Sequence, residues 1–578
     1  MIDKSFKGFG DGLLLKIEYF LWLGIPLIVC LTATASYGQL TNDDRFLQRT
    51  PPSTEPIETT PIENPPSIDR NPQGVLGQEN KIKIETIVVT GSTIFTEADF
   101  QPIIAPLFDR AVTAAELQTA IDTITQLYLD RGFLTSRAII DANSLNTGKI
   151  NIQVIEGRLE DIEVEGTERL TDYIKDRIEL GASVPLSTKA LEDQLRLLKN
   201  DPLIGNIEAN LRAGSGVGLS KLKVTVIDAK PLTGGISVDN YSVPSIGSEK
   251  LNLNLAYRNL TGLEDTFSVA YSPRLDNFTD TFKLDLRYSV PLNPMNGTLE
   301  LRTVFDRNEI IQPPFDVFDI SGETEVYELS YRQPLIRTPR EEFALSFGFT
   351  YQNGQTFIFS SPTPFGIGPD ADGVSSTSVF KFGQEYISRE EFGAWALRSQ
   401  FNLGTGLFDA TDNNNPIPDG HFFSWLGQIQ RVQVLDNNNF LILSLEAQFS
   451  PDALLPSEQF VIGGGQSVRG YRQNVLAGDN GIRFSIENRF TLARNEEGES
   501  VFQIAPFLDG GYVWNNNDNP NQILSDDTFI IALGLGILWQ PIEGFNIRLD
   551  YAPPLIDLDN RGNDIQDDGL YFNVGYSF

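Results

Sequence analysis

One histidine and one cysteine are all that this chain of 578 residues contains. His421, in the run Asp419-Gly420-His421-Phe422-Phe423, cannot alone build a histidine metal site or a Ser-His-Asp triad. No catalytic residue, metal ligand or cofactor is therefore assigned. Cys30 lies in an apolar run near the start, so the remainder of the chain has no thiol for disulfide chemistry. Basic residues are scarce: 44 Lys and Arg stand against 77 Asp and Glu, a net charge of -33. That balance excludes a nucleic-acid partner, which requires basic patches to replace counterions. The phosphate-cradling pattern G-x-x-x-x-G-K-S/T is missing. Past the N-terminal run, no segment approaches the roughly 20 apolar residues of a transmembrane helix. If the chain spans a membrane, it must do so as a closed barrel.

What is present begins with Leu21 to Leu31, L-W-L-G-I-P-L-I-V-C-L, followed by small residues up to Gly38. An apolar stretch before small residues reads as a signal peptide over 1–38. The flank is only weakly basic, because Asp3, Asp11 and Glu18 offset Lys4, Lys7 and Lys16. The alternatives are an N-terminal transmembrane helix, for which the run is short and broken by Pro26, and a lipidated Cys30, which Val29 fits poorly. Residues 39–80 hold a possible short helix at Thr41 to Arg49, then a proline-rich spacer from Thr50 to Pro72.

Two α/β units follow, expected over 81–157 and 158–230. In the first, the spacing predicts a strand over Thr86 to Thr90 and helices over Phe95 to Leu107 and Thr113 to Arg131. Strands over Ser136 to Asp141 and Lys149 to Glu156 complete it. Leu117, Ile121, Ile124 and Tyr128 share one helical face, and Thr113 is placed to cap it. The second unit repeats the β-α-α-β-β order, ending on Ile207 to Arg212 and Leu219 to Ile227. Small sheets of this kind leave an edge that can accept an extended peptide as an added strand.

From residue 231 to 578 helical periodicity gives way to period two. Leu251 to Tyr257, Phe282 to Tyr288 and Phe545 to Tyr551 alternate apolar with polar or charged residues. A water-soluble sandwich would hide the apolar face in a core; a barrel would turn it to lipid and line a wet lumen with the other. Runs of about ten residues, aromatics near run ends, and alternating short and long connections favour the barrel. About sixteen antiparallel runs are counted. On the last, Leu570, Phe572, Val574, Tyr576 and Phe578 share one face, and Tyr571, Asn573, Gly575 and Ser577 the other.

The chemistry-bearing stretch is the long loop over 450–481, between the eleventh and twelfth runs, with V-I-G-G-G-Q-S-V-R-G-Y from Val461 to Tyr471. Its glycines permit tight packing or threading through a confined space. Arg469 offers a planar guanidinium suited to a carboxylate, and Asp509 on the thirteenth run is the candidate partner. Alternation sends Phe502, Ile504, Leu508, Tyr512 and Trp514 outward, so Asp509 faces the lumen. It likewise sends Glu487 on the twelfth run inward.

These motifs carry a resemblance. I-V-V-T-G-S-T-I-F, L-Y-L-D-R-G-F-L-T-S-R-A and V-I-E-G-R-L, beginning at Ile87, Leu127 and Val154, resemble the first polypeptide-transport-associated (POTRA) domain of two-partner-secretion transporters of the haemolysin-activator (TpsB) type. L-K-N-D-P-L-I and L-R-A-G-S-G-V-G-L-S-K-L resemble the second. Val468, Arg469, Gly470 and Tyr471 are similar to that superfamily's pore-loop motif, and Phe507, Asp509 and Gly511 to its barrel-wall motif F-x-D-x-G. The C-terminal Phe578, with Tyr576, resembles the terminal-strand signal for barrel insertion. The resemblance implies POTRA domains in the periplasm and a barrel in the bacterial outer membrane. It also implies an unfolded, TpsA-like secreted partner held by the POTRA domains, and contact with lipid and the barrel-assembly machinery. Thr41 to Arg49 would correspond to a plug helix. Two rival readings are an assembly factor of the same superfamily and a barrel lipase or protease; the single histidine disfavours the latter. A passive porin would have no need of the periplasmic units.

Overall fold

A computed structural model describes residues 82–146, 148–520, 528–558 and 562–578. The leader expected over 1–38, the helix expected over Thr41 to Arg49 and the proline-rich spacer lie outside the described residues.

The first α/β unit is built on a central strand, Lys149–Ile155, parallel to Thr86–Thr90 and antiparallel to Arg137–Ile140. Its long helix, Ala114–Asp130, starts where Thr113 and Glu116 satisfy each other's amides. The Thr113 hydroxyl accepts from Glu116 N–H at 3.3 Å, and the Glu116 carboxylate accepts from Thr113 N–H at 2.8 Å. Leu117, Ala120, Ile121, Ile124 and Tyr128 on this helix are buried against the sheet. The preceding helix is shorter than its spacing predicts: Glu97–Ile104, then a tighter 3₁₀ turn at Ala105–Leu107. Pro106 lacks the amide proton that another α-helical turn would use. A two-residue ribbon pairing Ile82–Lys83 with Ala111–Val112 was not foreseen.

The second unit repeats the plan. Leu219–Asp228 is central, parallel to Arg158–Glu165 and antiparallel to Ile204–Ala213. Helices Thr171–Glu179 and Thr188–Lys199 bury Ile174, Ile178, Leu191 and Leu198 over Leu222 and Val224. In both units the outer strands keep one edge unpaired among the described residues.

The rest is one closed antiparallel barrel of sixteen strands among the described residues. The first strand, Leu232–Asp239, pairs with the sixteenth, Leu570–Ser577, from Asn573↔Asp239 to Ser577↔Gly235. Past that ladder, Phe578 and Gly234 exchange backbone hydrogen bonds. Closure removes the sheet edge, without which the strands could not satisfy their amides in hydrocarbon. Outward residues such as Leu253, Leu255, Tyr257, Leu533 and Leu535 are exposed and apolar, whereas Gln503, Arg483 and Asp509 are buried on the inside. No helix among the described residues is long and apolar enough to cross a membrane; crossing falls to the strands.

Strand length departs from the uniform run of about ten. The sixth, seventh and eighth strands, Ile320–Arg337, Glu341–Ile358 and Val374–Glu390, have 18, 18 and 17 residues. The first, fifteenth (Phe545–Tyr551) and sixteenth have 8, 7 and 8. About ten tilted residues cross a bilayer, so the long strands continue pairing well outside it. Their outer parts carry Glu323, Thr324, Asn353 and Gln355, which need no hydrocarbon.

Candidate functional site

The connection between the eleventh strand, Asn439–Phe449, and the twelfth, Asn480–Arg494, turns back into the barrel instead of standing in solvent. Inside it Phe460–Ile462 and Leu476–Gly478 form a short hairpin. Phe460, Ile462, Val468, Tyr471 and Leu476 pack into one core with Phe507 and Val513 of the thirteenth strand, Ser500–Trp514, and with Ile530 and Ala532 of the fourteenth, Phe529–Ile542. The tip can approach the wall this closely because of its glycines. Gly470 has φ of 103°, and a Cβ there would lie 2.7 Å from the Ala532 Cβ and 2.9 Å from the Ala552 carbonyl.

Arg469, at that tip, is fully buried. Its Nε donates to Asp509 Oδ2 at 2.6 Å and its Nη2 to Asp509 Oδ1 at 3.0 Å, the parallel fork a guanidinium makes with a carboxylate. Its own backbone N–H donates to Asp509 Oδ2 at 3.2 Å, and Ser485 adds a fourth donor at 2.6 Å. Nη1 donates to Glu487 Oε2 at 2.7 Å and lies 3.5 Å from Asp550 Oδ1. The guanidinium carbon sits 3.2 Å from the centre of the Phe507 ring. Two further arginines complete the charge count. Arg489 donates to Glu487 at 2.7 Å; Arg548 donates to Glu487 at 2.9 Å and to Asp550 at 2.7 Å. Three guanidiniums thus meet three carboxylates, and the buried cluster is neutral. Removing one partner of such a group costs about 3–5 kcal/mol, because the other is left charged and dry.

The residues around Arg469 tie the loop to the strands that close the barrel. Gly470 N–H donates to the Tyr571 hydroxyl at 2.9 Å, and that hydroxyl donates to the Tyr471 carbonyl at 2.5 Å. The Tyr471 hydroxyl donates to Ile531 O at 2.9 Å. Arg472 forks onto Asp567 at 2.9 and 2.6 Å. Gln473 N–H donates to Gln566 Oε1 at 2.7 Å, and Gln566 donates to Ser242 O at 2.7 Å, just past the first strand. At the loop's base Asp479, fully buried, accepts from Leu454 N–H, from Asn516 N–H and, on both oxygens, from Asn519 Nδ2, each at 2.9 Å.

The structure therefore brings together Val468, Arg469, Gly470, Tyr471, Glu487, Phe507 and Asp509. Gly511 joins them: a Cβ there would lie 3.2 Å from Val468 Cγ2. Tyr576 and Phe578 stand elsewhere, exposed at the far end of the sixteenth strand. Arg489, Arg548, Asp550 and Tyr571 were not singled out from the sequence. Alternation along Phe545 to Tyr551 held the clue, since it sets Arg548 and Asp550 on the inward face. His421 lies apart, exposed in the connection between the ninth strand, Gly393–Thr405, and the tenth, Phe423–Asp436. Its ring and the carboxylates of Asp412 and Asp419 lie within 4.8 Å of one another, and the three share no residue with the Arg469 cluster.

A lipid-facing barrel with one of its own loops pinned across the lumen, entered from α/β units at one end, is the build of an outer-membrane transporter. Residues 218–537 match the family of haemolysin secretion/activation proteins ShlB/FhaC/HecB, and residues 82–157 match its ShlB-type POTRA domain; the chain belongs to this family. It is 25% identical over 473 residues to the outer membrane transporter CdiB of Escherichia coli, covering 79% of this chain and 77% of that one. It is 22% identical over 433 residues to the hemolysin transporter protein HpmB of Proteus mirabilis, covering 72% and 73%. The fold is similar to solved CdiB from Escherichia coli, with a TM-score of 0.68, 22% identity and coverage of 90% and 94%. It is also similar to CdiB from Acinetobacter baumannii, with a TM-score of 0.61, 18% identity and coverage of 92% and 95%. The protein is thus a two-partner-secretion transporter of the outer membrane, with its POTRA end in the periplasm; members of this family are transporters that serve secreted protein partners.

Proposed function

We propose that the clamp centred on Arg469 is a lock that must open for each exported chain, and that the chain has no enzymatic activity of its own. The observation that carries this reading is Arg469 itself, a fully buried cation at a loop tip, held by carboxylates from three different barrel strands. A brace for the wall alone would not need to come from a loop lying across the conduction path. Val468, Gly470 and Tyr471 seat the tip; Phe507, Asp509, Gly511 and Glu487 form its receiving wall. On the same reading, residues 81–157 and 158–230 are two POTRA domains and 231–578 the barrel. The domains capture the partner's unfolded segment along an open sheet edge such as Thr86–Thr90, where Val88 is exposed. The outward Tyr576 and Phe578 serve recognition by the barrel-assembly machinery. Folding outside the cell supplies direction, since the chain carries no nucleotide motif.

One experiment with two arms tests this. Arg469→Ala is expected to abolish export while leaving an inserted, heat-modifiable barrel that still binds the partner. Deletion of 82–157 is expected to abolish binding in a pull-down. Normal export by the first variant removes the lock; undiminished binding by the second removes the capture role.

A further inference from the structure

A second buried arginine lies where the second α/β unit meets the periplasmic rim of the barrel. Arg177, on the helix Thr171–Glu179, is 5% exposed. Its guanidinium carbon stacks 3.4 Å from the centre of the Tyr173 ring. Its hydrogen bonds are long and go to neutral oxygens: the Tyr173 carbonyl at 3.4 Å and Asn296 Oδ1, in the turn between the fourth and fifth strands, at 3.4 Å. Its Nε, buried, has no hydrogen-bond partner. No carboxylate among the described residues forms an ion pair with it. Asp201 is close, but one of its oxygens accepts from the Tyr173 hydroxyl at 2.6 Å and the other from Leu203 N–H at 3.0 Å.

The same cleft is lined by Arg337, the last residue of the sixth strand, together with Asp201, Gln194, Leu197 and Leu198. Arg337 has no ion pair among the described residues either, and it sits close enough to repel Arg177. Asp201 and Glu264 act on the Arg177 charge from nearby, but among the described residues neither forms an ion pair with either guanidinium, so an anion in the cleft would still gain two charged partners. The neighbourhood says which kind. A register shift at Pro334/Ile336 turns the consecutive Leu335 and Ile336 outward, where they are 52% and 42% exposed. Phe392, in the turn after the eighth strand, is 60% exposed. Apolar side chains facing the bilayer, next to arginines at the strand end, are what the headgroup layer of a leaflet meets. Arg340 and Arg389 extend the basic rim, with Arg389 N–H donating to the Arg340 carbonyl at 2.7 Å.

We propose that Arg177 and Arg337 form a binding site for the phosphate of a phospholipid in the periplasmic leaflet, and that this lipid bridges the second α/β unit to the barrel. A guanidinium presents two parallel donors to phosphate oxygens, and basic pockets at a membrane face take lipid headgroups by this means. The acyl chains would lie along Leu335 and Ile336. A translocating acidic peptide would satisfy the charges but would leave those apolar side chains without a role.

The test uses the full-length protein in neutral detergent and native mass spectrometry, with phosphatidylglycerol, diacylglycerol, inorganic phosphate or a poly-glutamate peptide added separately. Wild type is expected to retain phosphatidylglycerol and none of the other three. Arg177→Gln with Arg337→Gln is expected to lower retention at least about tenfold. Arg177→Lys with Arg337→Lys keeps the charge without the fork and is expected to fall between; heat-modifiability of each variant shows that the barrel is folded. Equal retention by wild type and the Gln pair overturns the site. Retention of inorganic phosphate or of the peptide as strong as that of the lipid overturns the lipid assignment.

Discussion

Arg469 and Arg177 are both buried cations lying over an aromatic ring, yet their surroundings differ. Arg469 touches carboxylates from the twelfth, thirteenth and fifteenth strands, holds Asp509 itself, and shares Glu487 and Asp550 with Arg489 and Arg548. Arg177 meets a ring, a carbonyl and an amide. The first cluster is complete within the chain; the second, on the proposal above, is completed by a bound phosphate. A buried charge that finds all its partners in its own fold holds a position, and one that does not waits for a ligand. The difference also falls where the proposals place function: the first cluster pins the loop tip inside the barrel, and the second lies where the second α/β unit meets the periplasmic rim.

The largest effect expected within the complete cluster comes from Asp509→Asn. It removes the charged fork, leaves Arg469 buried without its full counter-charge, and is expected to cost about 3–5 kcal/mol in urea unfolding of the detergent-solubilised barrel. The double variant Arg469→Ala, Asp509→Ala should cost clearly less than the sum of the two single changes. Strict additivity would mean that the two groups do not act as a pair.

A smaller loss is expected from Tyr571→Phe. It leaves Gly470 N–H and the Tyr471 carbonyl without their shared hydroxyl, at about 1–3 kcal/mol. Proteolysis of the loop from outside should rise in this variant, because the sixteenth strand no longer holds the tip. Unchanged protection would show that the arginine cluster alone seats the loop.

The smallest effect lies far from both arginines. Thr113 N–H, the Arg110 guanidinium and the Thr113 hydroxyl hold the Glu116 carboxyl well below its usual 4.5, at about 2. A depressed folded-state value means that the ionised form favours folding. Its contribution is present above about 4.5 and is lost as pH falls toward 2. Protection factors for hydrogen exchange along Ala114–Asp130, taken against the intrinsic rate at each pH, are expected to fall over that interval in wild type, with Glu116→Gln reducing the pH-dependent part. An unaltered pH response in the variant would assign the effect to other groups.

Legibility in the sequence followed the range of the interaction. Period two in Phe545 to Tyr551 and Leu570 to Phe578 marks faces, because side-chain direction along a strand is local. Asp509 and Glu487 could therefore be turned inward from the sequence. The fork between Arg469 and Asp509 could be guessed, since a guanidinium suits a carboxylate and alternation turns Asp509 toward the lumen. What alternation does not carry is register between distant strands. It gives Arg548 and Asp550 an inward face but not a place beside Glu487, which is 61 residues away from Arg548. Tyr571 was read only as an inward residue; its hydroxyl joins the loop tip across 100 residues. The inner hairpin of Phe460–Ile462 with Leu476–Gly478 was hidden for another reason. Its strands have three residues each, too short for any period to show. Arg177 could not be distinguished at all, because on its helix it reads as one more charge in the last turn.

Whether the clamp opens during transport is most directly asked by tying it shut. A Cβ built on Gly511 lies 3.2 Å from Val468 Cγ2, so cysteines at these two positions are within reach of each other. In a Val468→Cys, Gly511→Cys variant that also carries Cys30→Ser, export should stop under oxidising conditions and return on adding reductant. Full export with the disulfide formed would contradict the account, and would leave the Arg469 cluster a brace.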